Sequence, residues 1–440
     1  MNIESLGHAG LLLRDDAGAP ILVTDPWVLG SCYWRSWWLV NYPSPALRAE
    51  VARARYGYIT HEHPDHFHTA SIRALGTSIE YLAPDLPQEH ITGYLREQGY
   101  QASVLPAFTW KTLAPGVRVL SIPLLNDDSV LIVDTPAAVA IDLNDSKPSR
   151  GQIRQLRGWL DRHAPGKRRI LLSSYSPASI VNSFIRHTER VTLRQKSDYV
   201  HNVCDNCRTL GVDDFIPFAS QVIFRRRDSV WANAFKVSFD DLRTHWRAPE
   251  TRLLPPYTRI DLRDGAVSSV PPEAYNTAES DAQRKVEAQE SLDATADLED
   301  EHLEKLRRKL NASRWILAAL FPRGVGFALE HTHLHYSPWS GRLLRGRSHG
   351  DFTLVVPAQA FKDAVTYGHL GDMGTAMFTM VMLNSGIDPR RVYLFFLVVT
   401  LNDYGHTGSF SRRFRWLRNT IRIHRWRLPA PSAAEVASGG

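Results

Sequence analysis

An apolar segment, YGYIT at 56–60, runs directly into HEHPDHFH, so His61, His63, Asp65 and His66 stand within six residues at the end of a strand. Three imidazoles and a carboxylate crowded there must all find partners, because a buried polar group left without one costs about 1–3 kcal/mol. A pair of metal ions satisfies them together. His61 and His63, two apart on an extended chain, point the same way. Asp65 and His66 lie past the turn set by Pro64 and can face a second ion ~3.5–4 Å from the first. An HxH on its own reads as a solvated turn; HxHxDH after a buried strand reads as a dinuclear metal site.

Around this motif the chain alternates short apolar runs with helical periodicity. Ile3–Leu6, Leu11–Leu13, Ile21–Thr24, Tyr56–Thr60, Ile79–Leu82, Val117–Ile122, Val130–Val133 and Ala138–Leu143 read as strands, and Pro45–Arg55, Thr69–Leu75, Gln88–Gln98 and Arg150–His163 as helices. Strands with interposed helices predict an α/β layer architecture. A charged stretch, 271–312, opens with Pro-Pro and carries a sparse Leu stripe (Leu298, Leu303, Leu306, Leu310), as a partly helical connection would. It separates a domain at 1–265 from a smaller α/β domain at 315–428, for which strands are expected near Gly326–Leu329, Phe352–Val356 and Tyr393–Leu401 and a helix at Gln359–Tyr367. Residues 429–440 are small and polar and read as a flexible tail.

Composition excludes several classes. With 43% hydrophobic and 22% charged residues the chain is neither disordered nor fibrous. Three cysteines make no disulfide framework, the N-terminus has no basic signal-like region, and no window spans a membrane, so a cytoplasmic protein is expected. The net charge of +6 is concentrated: 411–427 holds seven arginines and no acid, leaving the remainder at 6 − 7 = −1. Nucleic-acid binding would need a more widely spread basic surface.

THEHPDH resembles the HxHxDH signature of the metallo-β-lactamase fold superfamily, and GHAG at 7–10 and VTDPW at 23–27 resemble its opening strands. The resemblance implies an αββα sandwich with a dinuclear site at one edge of its two sheets. It also implies further ligands. IPLLNDDSVLIVD offers Asp127 or Asp128 where the family has a third histidine, and AVAIDLNDSK offers Asp145 as the bridging carboxylate. The family's last histidine falls near Arg226, after IPFAS. His187 or His201 would then complete the second position, or Arg226 would hold a substrate carboxylate or phosphate. Carboxylate in place of imidazole moves the preference from zinc toward iron or manganese. TDPW, HEHPDHFH, DDS and LNDSK together are similar to bacterial relatives of CMP-N-acetylneuraminate hydroxylase.

That likeness implies a di-iron oxygenase acting on a small or carrier-linked metabolite. His61 and His63 with Asp127 or Asp128 would hold one iron, Asp65 and His66 the other, and Asp145 would bridge. Asp65 and Asp145 would thereby be catalytic as well as ligating. The chain has no Rieske-type CxH…CxxH pair, so an external electron donor is implied. The alternative on the same fold is a zinc hydrolase of an ester, amide or phosphodiester, and a third reading is a metal-binding protein without catalysis.

Other signals carry less. His331, His333 and His335 alternate on one strand face, and Cys204 and Cys207 sit in a helical context as ordinary thiols. Trp34, Trp37 and Trp38 in SCYWRSWW form either an aromatic wall beside the substrate or a core cluster. Phe414, Leu417, Ile421 and His424 make the basic segment an amphipathic helix, either a solvated cap or a dock for an acidic partner such as a carrier protein or an anionic surface.

Overall fold

The computed structural model describes residues 1–430 apart from 88, 125–127, 271, 277–278, 280, 348, 385 and 408. Asp127 and most of the terminal tail therefore lie outside the described residues.

Two sheets lie face to face. The first has eight strands, with Asn2–Ser5, Leu11–Arg14, Pro20–Thr24, Tyr56–Tyr58 and Glu80–Pro84 adjacent in that order. The second has seven and is built around Val117–Pro123, Ser129–Asp134, Ala138–Asn144, Arg168–Ser174 and Asp214–Phe218. Their inner faces share one core, in which Leu11, Leu13, Tyr58 and Leu82 meet Val119, Leu131, Val133, Ile170 and Phe218. Tyr58 also ties the sheets through polar atoms, since its hydroxyl reaches Ser121 Oγ at 2.7 Å and Ser129 Oγ at 2.9 Å.

Helices cover both outer faces. Leu47, Val51, Ile72, Ile91 and Leu95 pack on the first sheet; Ile153, Leu156, Leu160, Val200 and Val203 pack on the second. Some of these helices begin with a side-chain cap, Ser149 for Arg150–His163 and Ser44 for Pro45–Val51. Gly57 has a steric cause: a Cβ there would meet the Tyr81 ring at 2.7 Å.

A third sheet of seven strands is built mainly from later residues, Val325–Ala328, His333–Ser337, Arg342–Arg345, Phe352–Val355 and Met380–Leu383. The hairpin Phe184–Arg186 and Glu189–Val191 extends it from the earlier part of the chain, Phe184 pairing with Val381. One apolar cluster joins Trp27, Tyr33, Trp37 and Phe224 to Leu306, Phe327, Phe361 and Phe395. The stretch expected as a strand at Tyr393–Leu401 is instead the helix Val392–Asp403. A continuous apolar run has no period to decide between the two. Here Val392, Phe395, Phe396 and Val399 turn inward at helical spacing while Leu394 and Leu397 are exposed. The basic segment is a helix, Phe410–His424, as its periodicity predicts.

Candidate metal centre

The strand Tyr56–Tyr58 lies between two parallel neighbours, so the chain leaving it emerges at the sheet edge. The loop 61–68 turns there: the amides of His66 and Phe67 donate to the His63 carbonyl at 2.9 and 2.8 Å. The His68 side chain then caps the helix Thr69–Leu75. Asp128 opens a strand of the second sheet, and Asp142, Asn144 and Asp145 end the next, so both sheets deliver carboxylates to the same edge.

His66 is at the centre. Its Nδ1–H donates to Asp25 Oδ2 at 2.7 Å, and Asp25 is itself fixed by the Thr60 amide and hydroxyl at 2.8 and 2.6 Å. Its Nε2 is buried without a hydrogen-bond partner. That atom faces Asp65 Oδ2 at 3.4 Å and Asp145 Oδ2 at 3.6 Å. A carboxylate orienting one imidazole nitrogen while the other meets acidic oxygens is the usual outer support of a metal-ligating histidine. Two donor groups result among the described residues, His8–Asp65–His66 and His61–His66–Asp145, each with its ligand atoms within 4.8 Å of one another. His61 Nε2 lies 2.8 Å from His63 Nδ1, and His61 Nδ1 lies 3.4 Å from Asp128 Oδ1. Buried imidazole and carboxylate donors, several without protein partners, fit metal ions.

The protonation pattern agrees. Burial pushes the pKa values of His61 and His63 down, and neighbouring imidazoles push the same way, so both are neutral donors at neutral pH. Burial raises Asp128 well above the carboxylate range, and the charge of Asp145 adds to it. Burial opposes a charge on His66 too, but Asp65 and Asp25 outweigh it and hold its pKa well above the ordinary value. A cation replacing these protons relieves the crowding of like charges.

His8 belongs to this site and the sequence did not disclose it. It sits in the loop joining the first two strands and reaches Asp65 Oδ2 at 2.8 Å across 57 positions of sequence. Tyr33 holds the other oxygen, its hydroxyl donating to Asp65 Oδ1 at 2.8 Å. Burial, with Asp65 nearby, raises the Tyr33 pKa far enough to keep it a donor. Tyr33, Trp34 and Arg35 all have positive φ, at 48°, 50° and 65°, a conformation that costs non-glycine residues about 1–3 kcal/mol each. Later residues hold that loop: Trp34 Nε1 donates to Asp363 at 3.0 Å, and Ser36 Oγ to the Ala376 carbonyl at 2.6 Å.

Arg226 does not face the donor cluster. It is buried, and its guanidinium is taken up by Asp228 at 2.7 Å, Asp293 at 2.9 Å and the Trp34 carbonyl at 3.0 Å. Asp293→Ala is expected to lower stability by about 1.5–3 kcal/mol, the range for a hydrogen bond to a charged group, with metal content unchanged. Equal thermal melting of variant and parent would remove this pin from the account. His187 is in the turn of the hairpin Phe184–Val191, and His201 is on the helix Lys196–Leu210 beside His245; among the described residues neither is in a donor group. Trp37 is 1% exposed and packs at tilted and edge-on angles among Tyr33, Phe224 and His8 as part of the core. His331, His333 and His335 form no donor group among the described residues, and Cys204 and Cys207 are buried free thiols.

One cavity meets the donor loop at His63, and another lies next to Asp145 in sequence. A throat of about 10 Å³ is lined by Glu62, His63, Asp372, Asp403 and Tyr404. It shares Asp403 and Tyr404 with an outer cavity of about 340 Å³. A larger cavity of about 570 Å³ begins at Ser146 and Lys147, directly after Asp145, and is lined by Arg150, Arg154 and Arg194.

Two facing sheets, helices on both outer faces and an HxHxDH loop at one sheet edge define the metallo-β-lactamase fold. No protein-family model matches the chain. It is 28% identical over 159 residues to a Mycobacterium tuberculosis protein provisionally named a Rieske 2Fe-2S iron-sulfur protein, covering 34% of this chain and 30% of that protein. It is 26% identical over 129 residues to cytidine monophosphate-N-acetylneuraminic acid hydroxylase of Xenopus laevis, covering 27% of this chain and 21% of the relative. These matches span less than a third of either relative's length. Among solved structures it is similar to isothiocyanate hydrolase from Delia radicum gut bacteria. That match has a TM-score of 0.41 and 13% identity, and covers 61% of this chain and 99% of the other.

Proposed function

We propose that the protein is a dinuclear iron oxygenase that hydroxylates a small or carrier-linked anionic metabolite. The observation that carries this reading is the acidic surround of His66 Nε2, with Asp65 and Asp145 on one atom and Asp128 on the neighbouring His61. In this reading His61, His63 and Asp128 hold one ion, His8, Asp65 and His66 hold the other, and Asp145 lies between them. His8 thus supplies the imidazole that Arg226 does not. Oxygen ligands favour iron or manganese over zinc, and the similarity to a hydroxylase and to a protein named for an iron–sulfur cluster points to the same chemistry.

Bound ferrous iron would supply the electrons that activate dioxygen. The overall change is RH + O₂ + 2e⁻ + 2H⁺ → ROH + H₂O, so two electrons come from a separate reductant. The chain's own residues orient the donors. Asp25 fixes the His66 ring, and Tyr33 and His8 fix the Asp65 carboxylate. Lys147, Arg150 and Arg154 suit the negative charge of a substrate entering beside Asp145.

Protein purified anaerobically and given ferrous iron is expected to hold close to two ions per chain. It should consume dioxygen when supplied with a reductant and substrate. Four imidazoles also suit zinc, so the zinc hydrolase is the competing reading. Turnover with zinc alone that persists without oxygen would replace the oxygenase by the hydrolase.

A further inference from the structure

The helix Phe410–His424 is anchored into the body of the protein at its C-terminal end. Ile423 and Trp426 are buried, and the Trp426 carbonyl accepts from Gln155 Nε2 at 2.8 Å. Its opposite face is uncovered. Phe410, Phe414, Leu417 and Ile421, spaced four, three and four apart on one stripe, are 83%, 60%, 48% and 52% exposed. A second apolar patch adjoins it. Arg413 Nη2 donates to the Ala312 carbonyl at 3.0 Å, bringing the helix against the segment that leads into Arg314–Leu320. There Trp315 is 61% exposed and Trp339, with its ring 6.5 Å away, is 59% exposed.

The charges on this helix are one-sided. Arg412, Arg415, Arg418 and Arg425 have no carboxylate partner among the described residues, and Arg422 has only Asp85 at 3.7 Å. A second copy of the chain would set arginine against arginine. The acidic surface of a protein would meet the arginines and leave four large apolar side chains without apolar cover. A bilayer with anionic headgroups meets both, taking phenylalanine and tryptophan at the acyl boundary and arginine among the phosphates. At fifteen residues the helix is too short and too charged to cross one, and no described helix is long and apolar enough to do so.

We propose that this face, the helix together with Trp315 and Trp339, docks on a membrane surface containing anionic phospholipid. Arg412, Arg415 and Trp416 also line the outer cavity, so docking turns the mouth of that cavity toward the headgroups.

The test is flotation of the full chain with vesicles of phosphatidylcholine, alone or with added phosphatidylglycerol. The protein should float with the anionic vesicles, remain largely behind with phosphatidylcholine alone, and be released by high salt. Phe410→Asp combined with Phe414→Asp should cut partitioning about tenfold or more, because it removes the apolar burial. Both side chains are exposed, so the melting temperature should not move. Trp315→Ser, on the neighbouring element, gives an independent reading and should weaken binding in the same direction. Absence of flotation with either vesicle overturns the proposal, as does flotation that both variants leave unchanged. Self-association that the paired aspartates abolish, with no vesicle binding, would identify a second copy as the occupant and overturn it equally.

Discussion

His66→Ala and His61→Ala are each expected to empty one metal position. The reason is geometric. His66 falls in both donor groups, but its Nδ1 is held by Asp25 and the single lone pair of Nε2 can ligate only one ion. Elemental analysis should therefore give about two ions per chain for the parent and about one for either variant, and both variants should lose turnover. The fold should survive, because the sheets are held by the apolar core around Tyr58 and Leu131 rather than by the edge; far-ultraviolet circular dichroism checks this. Retention of both ions by His66→Ala would refute its assignment as a ligand. His63→Ala should behave as His61→Ala does.

The supporting residues rank below the ligands they hold. Asp25 touches His66 at Nδ1 and no ligand position directly. Outer supports of this kind typically contribute 10–100-fold in metal affinity, so Asp25 is expected to matter less than His66 and more than Tyr33, whose bond to Asp65 is backed by that of His8. The strained run Tyr33–Arg35 is consistent with this role. It is kept in place by Asp363 and Ala376 from the later part of the chain, so the third sheet's unit helps build the site as well as cover it.

Much of this was legible in the sequence, for definite physical reasons. The strands of the sandwich are short apolar runs punctuated by Gly, Pro, Asn and Asp, and the His–Asp cluster follows one of them without a break. The same density of polar side chains that makes the motif visible makes it costly without metal. His8 and Asp25 were not legible as site residues. Each is a single polar residue inside a recognisable stretch, GHAG and TDPW, and each acquires its role only through a partner 57 or 41 positions away. The helix Val392–Asp403 reads as a strand because its residues are apolar on every face, including the exposed Leu394 and Leu397, which erases the periodicity that distinguishes the two. Arg226 falls at the sequence position of a ligand, but Asp293 lies 67 residues beyond it and claims its charge, a pairing no local pattern announces.

Removing the metal is expected to destabilise the protein more at pH 9 than at pH 7. In the metal-free protein the pKa of His66 is held above its ordinary value once Asp65 and Asp25 outweigh burial. Burial, with the charges of Asp145 and Asp25, raises those of Asp128 and Asp142. For each of these groups the folded pKa exceeds the unfolded one. The stability each contributes is present at low pH and is lost as pH rises through the folded value. His61 and His63 behave oppositely: burial lowers them, so their contribution is lost only as pH falls below the unfolded histidine value near 6.5. Asp65 and Asp145 are lowered, burial notwithstanding, through contact with His66, and their contribution goes only in acid. As pH rises above the unfolded histidine value the contribution of His66 is lost, and the metal-free protein weakens. The loaded protein moves the other way, because a metal competes with fewer protons for the same ligands as pH rises. At free metal 1,000-fold above its dissociation constant the bound ion contributes about 4 kcal/mol. The gap in melting temperature between loaded and chelated protein should therefore widen steadily from pH 7 to pH 9. A gap that stays constant or narrows would mean that the raised groups do not face the bound ions.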